Sequence, residues 1–178
     1  MRHFFPVALA ALALAACSSS DDADTDGDGE VSVDEIKAAT AKVTPLQAGQ
    51  YKMGMELVEL VDPTMSAEEI GKAKEFMGAM AGMAPPRCLT EEEASKGMVG
   101  VAEQMQSGDC AMDSLTSNTE GMKAEMTCKA PAGDAKVSLA STSTGTSSEM
   151  TMTAIEPSEQ GEKKVTMKVT MTRTGDCT

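Results

Sequence analysis

The stretch Lys163-Lys164-Val165-Thr166-Met167-Lys168-Val169-Thr170-Met171-Thr172-Arg173-Thr174 decides the fold. Val165, Met167, Val169 and Met171 stand at every second position, and Thr or Lys fills the places between them. A period of two puts all the apolar groups on one side of an extended chain; a helix would scatter them around its circumference. The same alternation runs upstream. Ser147 to Ile155 carries Met150, Met152 and Ala154, Ala135 to Ser141 carries Val137 and Leu139, and Gly121 to Lys129 carries Met122, Ala124, Met126 and Cys128. Cys110 to Ser117 is a shorter strand, and Ala48 to Val61, with Tyr51, Met53, Met55 and Leu57, is the first. The segments Pro131-Ala132-Gly133-Asp134, Thr144-Gly145-Thr146 and Pro157 to Gly161 are rich in turn formers and of hairpin length. One polar face per strand and short connections imply antiparallel pairing.

Helices interrupt this pattern after the first strand. Asp62-Pro63 breaks the strand, and Ser66 with Glu69 three residues later forms a capping box that opens a helix to about Met83. Pro85-Pro86 stops it. Thr90 with Glu93 opens a second helix to about Gln106, and Ser107-Gly108-Asp109 ends that. The expected fold is α+β, mainly β: a curved antiparallel sheet or open barrel of about six strands, with two helices inserted after the first strand and covering one end.

The N-terminus carries an address. Arg2 precedes an apolar run from Phe4 to Leu14 that is too short to span a bilayer, and the junction reads Leu14-Ala15-Ala16-Cys17. This resembles the lipobox of bacterial lipoproteins. It implies a signal peptide over 1–16, removal of that peptide and acylation of Cys17, which would hold the protein on a membrane without a spanning helix. Ser18, rather than Asp, follows the Cys, which by the same resemblance directs the protein to the outer membrane, facing the periplasm. Residues 17–23 then form a lipidated tether.

Removing 1–16 removes Arg2 and leaves 14 basic against 28 acidic side chains, net −14. It also removes His3, the sole histidine, together with Phe4 and Phe5. Tyr51 and Phe76 are then the only aromatics. Without histidine there is no Ser-His-Asp or Cys-His catalysis and no imidazole metal site. An acidic chain without aromatic platforms is ill suited to nucleic acid. No nucleophile motif, phosphate loop or cofactor fingerprint stands out. Acid pairs such as Glu68-Glu69 and the run Glu91-Glu92-Glu93 fall in first helical turns, where they complement the helix dipole. The expectation is a protein that is not an enzyme.

Residues 24–35 read Asp-Thr-Asp-Gly-Asp-Gly-Glu-Val-Ser-Val-Asp-Glu. This is similar to the twelve-residue loop of the EF-hand family. The resemblance makes Asp24, Asp26 and Asp28 monodentate ligands, Gly29 the sharp turn, Glu30 a backbone ligand, Ser32 a direct or water-mediated ligand and Glu35 a bidentate one. All are hard oxygen donors, suited to Ca²⁺ and poorly suited to soft metals. Six acids within twelve residues repel one another in the absence of a cation. Val33 to Lys42 reads as the exit helix, with Ile36, Ala39 and Val43 at helical spacing and Pro45 ending it. The segment 24–44 is thus a calcium loop with its exit helix. It has no entering helix and no second loop to pair with Val31. An affinity on the order of 10⁻⁴ to 10⁻³ M is expected of such a module.

Cys88, Cys110, Cys128 and Cys177 remain after the anchor, an even number in an exported chain, and three connectivities are open. The pairing expected here is Cys88–Cys110 with Cys128–Cys177. Fifteen methionines remain in a core nearly without aromatics. Those at strand and helix spacing read first as core filler. Two other uses are open: thioether ligands for copper, from Met77, Met80 and Met83 or from Met53 with Met55, and an adaptable lining for an apolar ligand or protein partner.

From Leu46 to Cys177 the chain resembles the bacterial envelope family designated domain of unknown function 3617. The residues that carry the likeness are Leu46 to Tyr51, Met53-Gly54-Met55, the Met-, Gly- and Pro-rich stretch Met77 to Pro86, and four cysteine neighbourhoods: Cys88-Leu89-Thr90, Gly108-Asp109-Cys110, Met126-Thr127-Cys128 and Gly175-Asp176-Cys177. The resemblance implies export and paired cysteines over a domain at 46–178. It implies no activity. Tyr51 stands where that family often has Trp, and the acidic loop is an addition to its pattern.

Overall fold

In a computed structural model the described residues are 22–27, 29, 31–96 and 110–177. The elements follow the order α1 (Val33–Thr40), β1 (Gly49–Val61), α2 (Ala67–Met83), β2 (Arg87–Leu89), α3 (Glu91–Lys96), β3 (Cys110–Ser117), β4 (Gly121–Ala130), β5 (Gly133–Ser143), β6 (Ser147–Ser158) and β7 (Gly161–Gly175). The strands form one antiparallel sheet in the order β2-β1-β7-β6-β5-β4-β3. β3 to β7 are a simple meander. β1, first of the strands in sequence, adds to the last strand, and the sheet stays open with β2 and β3 at its edges.

The alternation becomes two chemically distinct faces through the register. One row crosses the sheet as Ala124, Leu139, Met152, Met167 and Leu57, and the next as Met126, Val137, Ala154, Val165 and Leu60. Between them on the other face runs Glu125, Ser138, Thr153, Thr166 and Glu59. Leu60 joins the apolar face because the register shifts between Leu57 and Glu59, which leaves Val58 unpaired and inverts the parity of the strand.

The seventh strand is an addition to the expected six. β2 has three residues and follows Pro85-Pro86, too little sequence for a period to show, yet it pairs with Gly49, Gln50 and Tyr51 on the edge of β1. Both capping boxes form. The Ser66 side chain accepts from the Glu69 amide while Glu69 accepts from the Ser66 backbone, and Thr90 and Glu93 do the same. The second inserted helix is described over Glu91–Lys96; the remainder of its expected span, to Gln106, lies outside the described residues.

The expected disulfide pairing is wrong. The bonds are Cys88–Cys177 and Cys110–Cys128. The strand order explains why. Cys110 and Cys128 are direct register partners on β3 and β4. Two strands separate β4 from β7, so a cysteine on β4 lies ~14 Å from the C-terminal strand, beyond the reach of a disulfide. Cys88 on β2 sits opposite Gln50, whose other neighbour is Gly175, and the chain leaving β7 brings Cys177 to it.

The main core lies at the β3–β5 end. Ile36, Ala39 and Val43, from α1 and the turn after it, pack with Leu115, Met122, Ala124 and Leu139. Tyr51 is fully buried on β1, and its hydroxyl donates to the Gln47 carbonyl at 2.8 Å, with the Gly145 carbonyl at 3.3 Å. Burial pushes its phenol pKa up, against a smaller opposing effect of the Arg173 charge. α2 packs on β1 without burying any residue fully.

Candidate metal centre in the N-terminal loop

The loop is positioned from both ends by the sheet. Asp22 forms an antiparallel bridge with Thr116, and the Ala23 amide donates to the Leu115 carbonyl at 2.8 Å. A strand-like contact therefore stands where an entering helix would be. At the other end Ser32 caps α1. Val31 finds its partner in the sheet rather than in a second loop: it is buried in the same cluster as Ala23, Ile36 and Leu115.

Between these anchors the backbone folds around Asp24. One Asp24 oxygen accepts from the Gly27 amide at 2.7 Å and the other from the Gly29 amide at 3.1 Å. Gly27 and Gly29 have φ of 73° and 84°, a left-handed conformation that strains any residue with a Cβ. Glu35 closes the loop. One of its oxygens accepts from the amide and the hydroxyl of Thr25, each at 2.7 Å, and the other from the amide (3.0 Å) and hydroxyl (2.8 Å) of Ser32. These donors stabilise the anion, Ser32 first and Thr25 next, and lower the Glu35 pKa to about 2.

As a result Asp24, Asp26 and Glu35 each place one carboxylate oxygen within 4.8 Å of the others. Oxygens bound to Ca²⁺ lie about 2.4 Å from the ion, so a mutual spacing near twice that is the width of its coordination shell. The donor set and the spacing fit the ion. Asp28 and Glu30 lie outside the described residues, as does Cys17. Ser32 is exposed and engaged in the cap. Sequence reasoning missed Thr25, which ties Glu35 across the loop; nothing in the ligand pattern marks that position.

The domain that carries this loop matches the family model described as a protein of unknown function (DUF3617) over residues 46–177. The chain belongs to that family. The DUF3617 match spans β1 to the Cys177 crosslink and begins just after the acidic loop and its helix, so the loop lies N-terminal to the matched region and packs onto its sheet. No curated protein and no solved structure matches the chain.

Proposed function

We propose that this chain is a lipid-anchored, non-enzymatic protein of the bacterial cell envelope, set in the outer membrane facing the periplasm, that takes up Ca²⁺ through residues 24–35. The convergence of Asp24, Asp26 and Glu35 oxygens within 4.8 Å, on a backbone turned by two left-handed glycines, carries the calcium reading. Glu35 enters the shell by exchanging the Thr25 bonds for the cation, since each of its oxygens already accepts two hydrogen bonds. The Leu-Ala-Ala-Cys junction carries the anchor. The acid pairs favour a role other than catalysis, because Glu69 and Glu93 are spent on helix caps and Glu93 also holds Arg87.

The two halves of the reading meet in the tether. Asp22 is bridged to β3, so Cys17 is five residues from a fixed point on the sheet, a span of at most ~17 Å. A docked loop would keep the domain close against the headgroups. Titration of the mature protein with Ca²⁺ by calorimetry is expected to give binding near 10⁻⁴ to 10⁻³ M. Combining Asp24→Ala with Glu35→Gln should abolish it, and heat that survives this double change removes the calcium claim. Separately, Cys17→Ser should shift the protein from the membrane to the soluble periplasmic fraction.

A further inference from the structure

Two groups of methionine far apart in sequence meet at one place. α2 lies on β1, and between them is a cavity of about 250 Å³ lined by Met53, Met55, Met77 and Met80 together with glycine and alanine. Met53 and Met55 share one face of β1, and Met77 and Met80 are one helical turn apart on α2. Among the described residues, its lining side chains offer four thioether sulfurs and no nitrogen or oxygen donor.

The structural methionines of the sheet behave differently. Met126 is 3% exposed and Met122 7%, whereas Met55 is 41% and Met80 56% exposed. Met55 and Met80 are therefore open to solvent at the cavity, while Met53 and Met77 are half-buried. We propose that the cavity binds a soft monovalent cation, Cu(I), through these thioethers. Sulfur donors without oxygen or nitrogen select Cu(I) against Ca²⁺ and Mg²⁺. No stronger copper ligand competes in the mature chain. Histidine is absent after residue 16, and Cys88, Cys110, Cys128 and Cys177 are held as disulfides. The acidic surface favours any cation in its neighbourhood. This site is independent of the calcium loop, which sits at the other end of the sheet beside β3.

The test is anaerobic titration of the intact mature protein with Cu(I) in the presence of bicinchoninate, followed by dialysis and metal analysis. The wild-type protein should retain about one equivalent, with copper-edge X-ray absorption showing sulfur neighbours only. Changing Met53, Met55, Met77 and Met80 together to Leu should eliminate retention, while circular dichroism and the melting temperature report that the fold persists. Met150→Leu with Met152→Leu, on the same apolar face but outside the cavity, should retain copper like wild type. Absence of retention by the wild type, equal retention by the cavity variant, or equal loss in the sheet variant overturns the proposal.

Discussion

Glu35 does two jobs at one position. It is the N3 residue of the α1 capping box and the proposed last ligand of the loop, and its four hydrogen bonds hold its pKa at about 2. A carboxyl whose pKa is lower in the folded state stabilises that state above its ordinary pKa and ceases to do so as pH falls through the lowered value. In calcium-free buffer the charge-linked stability difference between wild type and Glu35→Gln should therefore be full at pH 6, shrink from about pH 4.5 downward and be lost only below about pH 2, read from urea midpoints across pH. Gln keeps one accepting oxygen and sets an NH2 against the donors of the other, so it is the pH-dependent part of the difference that reports the charge. Tyr51 is the second informative residue. Tyr51→Phe removes the donor to the Gln47 carbonyl in a fully buried setting and should cost about 1–2 kcal/mol in chemical denaturation, without altering calcium heat.

At the scale of elements, α1 is what joins the loop to the sheet. Ile36 is 2% exposed in the cluster that contains Val31 and Leu115. Ile36→Ala should destabilise the protein by about 2–4 kcal/mol and weaken Ca²⁺ binding, because Glu35 is presented by the helix that Ile36 holds down. The crosslinks give a second prediction. Non-reducing peptide maps should contain Cys88 joined to Cys177 and Cys110 joined to Cys128; on a chain-entropy basis their removal costs about 4.6 and 3 kcal/mol respectively. The strands β3 to β7 were legible because a period of two survives in their sequence, as were both capping boxes. Cys88–Cys177 was not legible, since it depends on β1 returning to pair with β7, a contact between the two ends of the domain, whereas Cys110–Cys128 follows from the local β3–β4 hairpin, whose register the sequence reading did not draw out. β2 was hidden by its brevity. The spacing of Asp24, Asp26 and Glu35 marked three carboxylates that do converge, but the burial of Val31 was not readable, because Leu115 of the same cluster lies 84 positions away.

At the scale of the molecule, an acidic segment expected to stand apart as a module is packed into the sheet's principal core. If Cys17 carries the proposed anchor, that packing makes the length of its tether conditional. With residues 22–43 docked, five residues separate Cys17 from the sheet; with them released, 27 residues separate it from Thr44, for a root-mean-square reach of ~30 Å. Six acids within the loop favour release when no cation balances them. Neutron reflectometry of the lipidated protein on a supported bilayer should show the domain moving outward by on the order of 10 Å when Ca²⁺ is chelated. The most direct measurement is amide hydrogen exchange over residues 24–44 at zero and at millimolar Ca²⁺. Calcium should slow exchange at the Gly27 and Gly29 amides and through α1, while β6 and β7 stay unchanged. The same exchange rates with and without the ion would contradict a calcium-held loop.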